Sequence, residues 1–461
     1  MNPLGHAVAR TYLITALVGG AVMAFLSPPF QAPDEPNHFF RAQALSEGYV
    51  VAQRQPGKVG APMRAAIPHW ALTLLGDIYG HPDKKQTVDA LKTRRDIADD
   101  PSIVFVDFRN SALYSPVVYV PQAVGLGLGR LLRMPLLDAY YLGRLLNLIA
   151  SVALCYWTAR RLPYGQLTFV MIALSPTFLF EQASFSADAL TYALAATFCG
   201  AVLNESVHTH APLGRRTVIV LALLGALMGL TKPLAAPLPV FALLLLRRTL
   251  GSPARRPWGA VMVVIGVSWA TMLGWSLMMS GMYLIANSTP GIDPAGQRAW
   301  ILAHPVEFAD IVWRTFLVYW SPLLHSAVGV LGWVDTALAW RYVKIFYGAL
   351  IVSGAVAGVR TAAPGWAERG LAALLAISTY LVMAVISYLT WTPVGAPIID
   401  GWQGRYFLPL IVPFAVLLQW PAWVQRRIRE RAQRVVVIVC LVCAGLFLIY
   451  AFRVMYLRYW A

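Results

Sequence analysis

The sequence predicts an all-α polytopic membrane protein of about 11–13 transmembrane helices. Three observations carry that prediction. The 461 residues are 58% hydrophobic and only 13% charged, with mean hydropathy +0.60. A soluble globular chain carries roughly 25% charged residues, so hydrocarbon rather than water must solvate most of this surface. Apolar runs near span length recur along most of the chain, and short Arg clusters separate many of them. A soluble enzyme, a disordered chain and a secreted disulfide scaffold are excluded on these grounds.

The first run, Tyr12 to Leu26, follows one Arg (Arg10) and could be mistaken for a signal peptide. Ser27-Pro28-Pro29-Phe30 offers no small-residue cleavage site and many spans come later, so it reads as an uncleaved first span over 11–27. Further spans are predicted near 139–158, 166–182, 187–204, 216–231, 234–246, 257–285, 340–358, 371–391, 405–423 and 434–453. The runs 113–132 and 312–332 could each be a span, a re-entrant piece or an interfacial helix. Within 216–246, Lys232-Pro233, Pro237 and Pro239 predict short or broken helices, tolerable where the freed backbone groups face protein or a wet cavity. Cys155, Cys199, Cys440 and Cys443 all lie in apolar runs, so no disulfide framework is implied.

The formal charge of +16 is unevenly placed. Residues 28–112 hold ten acidic and ten basic residues, leaving 27 Lys and Arg against 11 Asp and Glu in the rest. That excess sits largely in clusters: Arg160-Arg161, Arg215-Arg216, Arg247-Arg248, Arg255-Arg256, Arg360 with Arg369, and Arg426 to Arg434. This is the positive-inside pattern of a membrane protein and not a nucleic-acid footprint. One alternating topology puts every cluster on the cytoplasmic side, provided that 113–132 and 312–332 leave the parity unchanged. It places the N-terminus inside and the loop 28–112 outside, with 183–187, the region of Lys232, 286–339 and 392–404. No repeat or second domain is visible, so residues 1–461 read as a single transmembrane domain with one long outer loop. An ordered loop of that length on a rigid scaffold usually carries function.

Four segments carry chemistry. Pro33-Asp34-Glu35-Pro36-Asn37-His38-Phe39-Phe40-Arg41-Ala42 opens the loop at the outer interface. A helix starting near Pro36 puts His38 and Arg41 on one face with Asp34 at its start; equally, Asp34 could cap that helix and Glu35 complement its dipole. Phe39, Phe40, Ala42 and Leu45 fit an amphipathic helix lying along the interface. Leu230-Thr231-Lys232-Pro233 puts an ammonium at a helix break, suited to a lipid-linked phosphate or else snorkelling. Asp400-Gly401-Trp402-Gln403-Gly404-Arg405-Tyr406-Phe407 offers a planar guanidinium fork suited to phosphate, or an interfacial Arg within an aromatic belt. Ser184-Phe185-Ser186-Ala187-Asp188, with Glu181 shortly before it, carries intramembrane acids, Asp188 serving a ligand or capping the next helix. Arg144, Arg314 and His325 read as internal hydrogen-bond partners.

These residues resemble a family. A first span, an outer loop opening on an acidic pair, interfacial helices in that loop and a later Thr-Lys at an outer helix end are similar to the GT-C membrane glycosyltransferases. More narrowly, P-D-E-P-x-H-F-x-R-A followed by Ser46-Glu47-Gly48 resembles a branch of multi-spanning bacterial membrane proteins placed near them. Tyr114-Ser115-Pro116, Leu142-Gly143-Arg144, Leu174-Ser175-Pro176, Leu331-Gly332-Trp333-Val334-Asp335 and Gly404-Arg405-Tyr406-Phe407 add to the match. The resemblance implies a GT-C-like fold in the bacterial cytoplasmic membrane and an inverting transfer from a polyprenyl-phosphate sugar donor, on the outer face, to a glycan, lipid or protein acceptor. It makes Asp34 the general base, with Glu35 holding the sugar, supporting Asp34 or binding a metal. Lys232 and Arg405 become the donor-phosphate partners, and His38, Arg41, Asp188, Gln403 and Tyr406 substrate-binding residues. A divalent cation, Mg or Mn, could be held by Asp34, Glu35, His38 and Asp188. The alternatives are a transporter or flippase for lipid-linked sugars, which should show an internal repeat, and a non-catalytic component of polysaccharide assembly.

Overall fold

A computed structural model describes residues 3–97, 100–207, 213–247, 257–286, 289–356 and 363–461. Arg248, Arg255, Arg256 and Arg360 of the expected clusters lie outside the described residues. The first helix, α1 (Pro3–Leu26), turns Ile14, Val18 and Phe25 outward and buries Gly19 and Gly20 against its neighbours. A helix apolar on its outer face as well as its inner one belongs in lipid. After α1 the loop folds as α2 (Glu35–Ser46), strands β1 (Gln53–Gln55) and β2 (Lys58–Arg64), α3 (Ala66–Gly76), α4 (Val88–Thr93), β3 (Ile103–Asp107) and α5 (Arg109–Ala112). The sequence reading expected helices in this loop; the three-stranded antiparallel sheet β1-β2-β3 is an addition. Its outer pair joins Ile103-Val104-Phe105-Val106, a β-branched and aromatic run, to a strand some 40 residues earlier.

The chain continues through α6 (Val120–Leu131), α7 (Leu136–Ala159), α8 (Gln166–Ala173), α9 (Pro176–Gln182), α10 (Asp188–Ser206) and α11 (Arg215–Gly229), then the 3-10 helix Leu238–Arg247. It goes on through α12 (Trp258–Met278), α13 (Pro294–Ala303), α14 (Pro305–Gly329) and the hairpin β4 (Val330–Leu331) and β5 (Thr336–Ala337). It closes with α15 (Trp340–Ser353), α16 (Trp366–Thr390), the 3-10 helix Gly404–Leu410, α17 (Ile411–Leu418), α18 (Ala422–Gln425) and α19 (Glu430–Tyr459). Among the described residues five helices are long and apolar enough to cross a membrane: α1, α7, α12, α16 and α19. The stretches 233–247 and 404–418 are shorter and apolar, as the prolines of the first predict.

The expected span 166–182 is broken into α8 and α9. Pro176 cannot donate a backbone hydrogen bond and drives Ser175 into extended backbone (φ −64°, ψ 143°). The run 113–132 is not a span: α6 has 12 residues, about 18 Å of helix, against a hydrocarbon core of about 30 Å. Instead α6 lies along α7, Gly125 against the Gly143 backbone, where a Cβ would come within 2.6 Å. The run 312–332 belongs to α14, 25 residues long, with Pro322 inside it. At its start Phe308 stacks on Tyr388, near the last turn of α16. At its end Gly329 O accepts from Leu338 N (2.8 Å). Beside it Trp333 Nε1 reaches Phe30 O in the first loop (3.0 Å). Both ends of α14 thus meet the end of the bundle that carries the long loop.

The loop is tied to the bundle, not merely tethered by its ends. Phe30, Phe39, Trp70, Tyr140 and Phe185 form a buried aromatic cluster joining α2 and α3 to α7 and the turn before α10. Gln86 N donates to Tyr459 O (2.7 Å), and Lys85 Nζ to Leu457 O (2.5 Å), so the loop also closes the last turn of α19. Where the 3-10 helix Gly404–Leu410 meets α14, backbone approaches backbone: a Cβ on Gly404 would lie 1.9 Å from Leu323 O and 2.4 Å from Ala327 N. Gly404→Ala is therefore expected to cost about 1–3 kcal/mol through overpacking, read as a lower Tm in detergent, with Gly127→Ala, which meets nothing within 4 Å, as the neutral control.

Candidate functional site

Two buried groups of charges meet where the first loop joins the bundle. In the first, Arg144 on α7 grips Glu35 at the start of α2 with two parallel bonds, Nε to Oε1 at 2.9 Å and Nη2 to Oε2 at 2.7 Å. The same guanidinium donates to Ala24 O and Ser27 O, each at 2.7 Å. Glu35 also accepts from Ala32 N (3.2 Å) and Phe185 N (3.0 Å). Every oxygen of Glu35 is engaged and its side chain is fully buried. The expected catalytic role for Glu35 gives way to a positioning one: it locks the end of α1, the start of α2 and the turn before α10 together.

The second group is drawn from three distant segments, around 181–188, 232 and 405. Lys232 Nζ meets Asp188 Oδ1 at 2.6 Å. Arg405 Nη1 meets Glu181 Oε1 at 2.6 Å and lies 3.8 Å from Asp188 Oδ2. Asp188 heads α10, yet its carboxylate does not cap that helix; Ser186 Oγ accepts from its N–H instead. Lys232 follows α11 where Pro233 stops the helix, and it does not snorkel: at 9% exposure its ammonium sits 5.1 Å above the Tyr114 ring. On Tyr114 the His38 ring stacks at 6.1 Å, with His38 Nδ1 2.6 Å from Tyr119 Oη. Tyr406 packs beneath the Arg405 guanidinium at 5.5 Å.

Two cations and two carboxylates balance in charge, as burial demands, but they do not fill each other's hydrogen-bonding capacity. Among the described residues, Arg405 Nε, Glu181 Oε2, Asp188 Oδ2 and Tyr192 Oη are buried without a hydrogen-bond partner. Nearly all buried polar groups in proteins are satisfied, so this concentration marks a place for a polar ligand or water. Glu181 and Arg405 open on a narrow crevice lined also by Pro33, Ser326, Gly332 and Gln403.

Asp34 stands at the edge of this site. It is half-buried and left-handed (φ 58°), and its side chain caps nothing, which sets the capping alternative aside. Among the described residues its carboxylate takes one hydrogen bond, from Asn110 Nδ2 at 3.4 Å, and its charge, like those of Lys232 and Asp188, reaches the Tyr114 hydroxyl. Arg41 shares the Tyr119 face with His38, as the helical spacing predicts, but its Nη groups donate to Tyr49 O (3.2 Å) and Val50 O (2.7 Å), closing the turn after α2 rather than facing the crevice. The expected metal set does not converge, because Glu35 is held by Arg144, Asp188 by Lys232 and His38 by Tyr119. Among the described residues no three His, Cys, Asp or Glu side chains are placed to hold a metal ion. Glu181, Tyr114, Tyr119 and Tyr192 join the site without having been singled out as ligand-binding; that Glu181 is an acid inside an apolar run was the signal available for it.

His38 lies outside the spanning helices, and burial, together with the Lys232 ammonium, pushes its imidazole from 6.5 down to about 3. The proton then favours the unfolded chain. Stability from this group is full above pH 6.5 and falls by about 1.4 kcal/mol per pH unit as the pH drops toward 3. His38→Gln should flatten the dependence of Tm on pH between 6 and 4 relative to the wild type.

A protein-family model described as Predicted membrane protein (DUF2142) matches residues 17–414, most of the chain. No curated protein and no solved structure matches it.

Proposed function

The chain belongs to the family described as Predicted membrane protein (DUF2142), and from that premise we propose that it is a membrane glycosyltransferase. It moves a sugar from a polyprenyl-phosphate donor to an envelope glycan, lipid or protein acceptor on the outer face of the bacterial cytoplasmic membrane. The observation that carries this reading is the buried cluster Asp188–Lys232 and Glu181–Arg405, with unfilled hydrogen-bonding positions, beside a carboxylate that is not locked in a salt bridge.

In this mechanism Asp34 takes the proton of the acceptor hydroxyl as its oxygen attacks the anomeric carbon. The bond from that carbon to the phosphate oxygen breaks, the configuration inverts, and the lipid phosphate leaves with the bonding electrons. Asp188 and Glu181 hold Lys232 and Arg405 in place before the donor arrives, which costs no reorganisation during reaction. Arg405 Nε is free to donate to a phosphate oxygen. Gln403, in the crevice wall, and the stacked His38 and Tyr114 rings are the surfaces that this reading assigns to the sugar. Glu35 fixes the backbone from which Asp34 projects.

The test is a transfer assay on the purified protein in nanodiscs with polyprenyl-phosphate sugars and candidate acceptors. Turnover by the wild type that Asp34→Asn removes supports the enzyme. Movement of the lipid across the bilayer without transfer would overturn it in favour of a flippase, neither transfer nor movement by the wild type would leave a non-catalytic component, and full transfer by variants lacking Asp34, Lys232 or Arg405 would overturn the roles given to those residues.

A further inference from the structure

The last turn of α19 lies under the long loop, where Gln86 N reaches Tyr459 O. Its 30 residues cover about 45 Å, so its first turn lies at the opposite end of the bundle. There the chain leaves α18 and reads Arg426-Arg427-Ile428-Arg429-Glu430-Arg431-Ala432-Gln433-Arg434. The approach is fixed: Trp420 N and Gln425 Nε2 both donate to Gly354 O, at 2.9 and 3.1 Å, just past α15. The arginines of this run are all exposed. Among the described residues none of them has a carboxylate within ion-pair distance, whereas Arg95 and Arg458, at the loop end, hold Asp138 and Asp335 at 2.6 and 2.9 Å. Arg429 is the N-cap of α19, and Arg431 and Arg434 lie in its first two turns, where the helix dipole disfavours cations. Unpaired positive charge at the positive end of a helix calls for an anion from outside the chain.

The helical register says where that anion sits. One face of α19 is packed on its neighbours: Cys440 Sγ reaches Ala349 O of α15 (3.4 Å), and Val437, Ala444 and Phe447 are buried. The other face carries Val435, Ile438, Val442, Leu446 and Ile449, all exposed and apolar, as a helix side against lipid requires. Arg431 and Arg434 continue that stripe, one turn before Val435 and Ile438. Helical side chains tilt toward the N-terminus, so both guanidiniums lean out of the hydrocarbon to headgroup depth. Trp423, exposed and with Arg427 5.5 Å above its ring, is an interfacial anchor at the same end. A charge bias that orients the chain during insertion needs arginines at this end but on no particular face. We infer that the start of α19 is a headgroup site for an anionic phospholipid, with its acyl chains along the apolar stripe and its phosphate at Arg431 and Arg434. A zwitterionic lipid carries its own cation beside the phosphate and leaves the arginines uncompensated, so the occupant is anionic. This site is independent of the sugar-transfer reading.

The test is native mass spectrometry of the full-length protein in detergent, titrated with phosphatidylglycerol and with phosphatidylcholine of the same acyl chains. An arginine at an anionic lipid surface contributes about a fivefold factor in affinity, so Arg431→Gln with Arg434→Gln should weaken phosphatidylglycerol binding about 25-fold and leave phosphatidylcholine binding unchanged. Neither side chain has an ion-pair partner to lose, so the Tm in lipid-free detergent should not fall below that of the wild type. Lys58→Gln with Arg298→Gln, the same loss of charge at exposed positions in the long loop and α13, should leave phosphatidylglycerol binding unchanged. On the unsubstituted protein, phosphatidylglycerol affinity should fall as ionic strength rises while phosphatidylcholine affinity holds, which reads the same interaction without any substitution. Equal retention of the two lipids, wild-type affinity in the Arg431 and Arg434 double variant, an equal loss in the Lys58 and Arg298 variant, or phosphatidylglycerol binding indifferent to salt would each overturn the site. Displacement of the lipid by an equal concentration of inorganic phosphate would also overturn it, because the arginines would then be binding phosphate without the chains.

Discussion

Glu35→Ala is expected to prevent accumulation of folded protein, not merely to slow it. The substitution leaves Arg144 fully buried with its fork facing an empty space, and takes acceptors from the N–H groups of Ala32 and Phe185. Breaking a buried ion pair by removing one partner costs about 3–5 kcal/mol, a large share of the 5–15 kcal/mol that holds a typical domain. The damage falls on three segments at once, because Arg144 also ties down the carbonyls of Ala24, Ser27 and Pro28. Size-exclusion profiles and Tm in detergent read the effect. The double variant Glu35→Leu with Arg144→Met, apolar on both sides, should recover much of the lost folding, since well-packed apolar residues often replace buried pairs without penalty. Asp34→Asn, one residue earlier and at a half-buried position, keeps a residue tolerant of the left-handed backbone there (φ 58°) and should leave the stability within about 0.5 kcal/mol of the wild type. A folded, stable Glu35→Ala without activity would reverse these roles and return Glu35 to the chemistry.

The contrast between adjacent carboxylates shows what could be read from the sequence and what could not. That a charge within an apolar chain must find a partner is a matter of solvation, and it marked Lys232, Arg405, Asp188 and Glu181 one by one. Which partner each finds is a matter of packing. Glu35 and Arg144 are 109 residues apart, and Glu181 and Arg405 are 224 apart; no local period encodes either pairing. The apolar runs were legible because every backbone polar group in lipid must be satisfied within its own helix, so length and hydropathy suffice for α1, α7, α12, α16 and α19. The break between α8 and α9 is encoded by Pro176, but the run stays apolar across it, so hydropathy alone reads 166–182 as one span. The sheet in the first loop needs β2 to meet β3 over a long intervening segment, and such non-local pairing leaves only a weak local trace.

Asp34→Asn is expected to lower the turnover number for sugar transfer by 10²–10⁴-fold, the range a positioned general base supplies, while the protein folds and binds donor as before. The amide keeps the size of the carboxylate and can keep the contact with Asn110, so little structure is lost. What it cannot do is accept a proton from the acceptor hydroxyl. The change should therefore appear in kcat with the donor KM nearly constant, the pattern of an interaction made in the transition state alone. Lys232→Met should behave differently. It strips Asp188 of its 2.6 Å partner and, on the proposed transferase reading, removes charge placed against the leaving phosphate, so it should raise the donor KM as well as lower kcat, with a loss near 10²–10³-fold and a lower Tm. The two variants read together separate the base from the electrostatic frame. If Asp34→Asn were to keep wild-type turnover while Asp188→Asn lost it, the proton would have to pass to the carboxylate inside the cluster, and the loop-opening acid would have no part in the reaction.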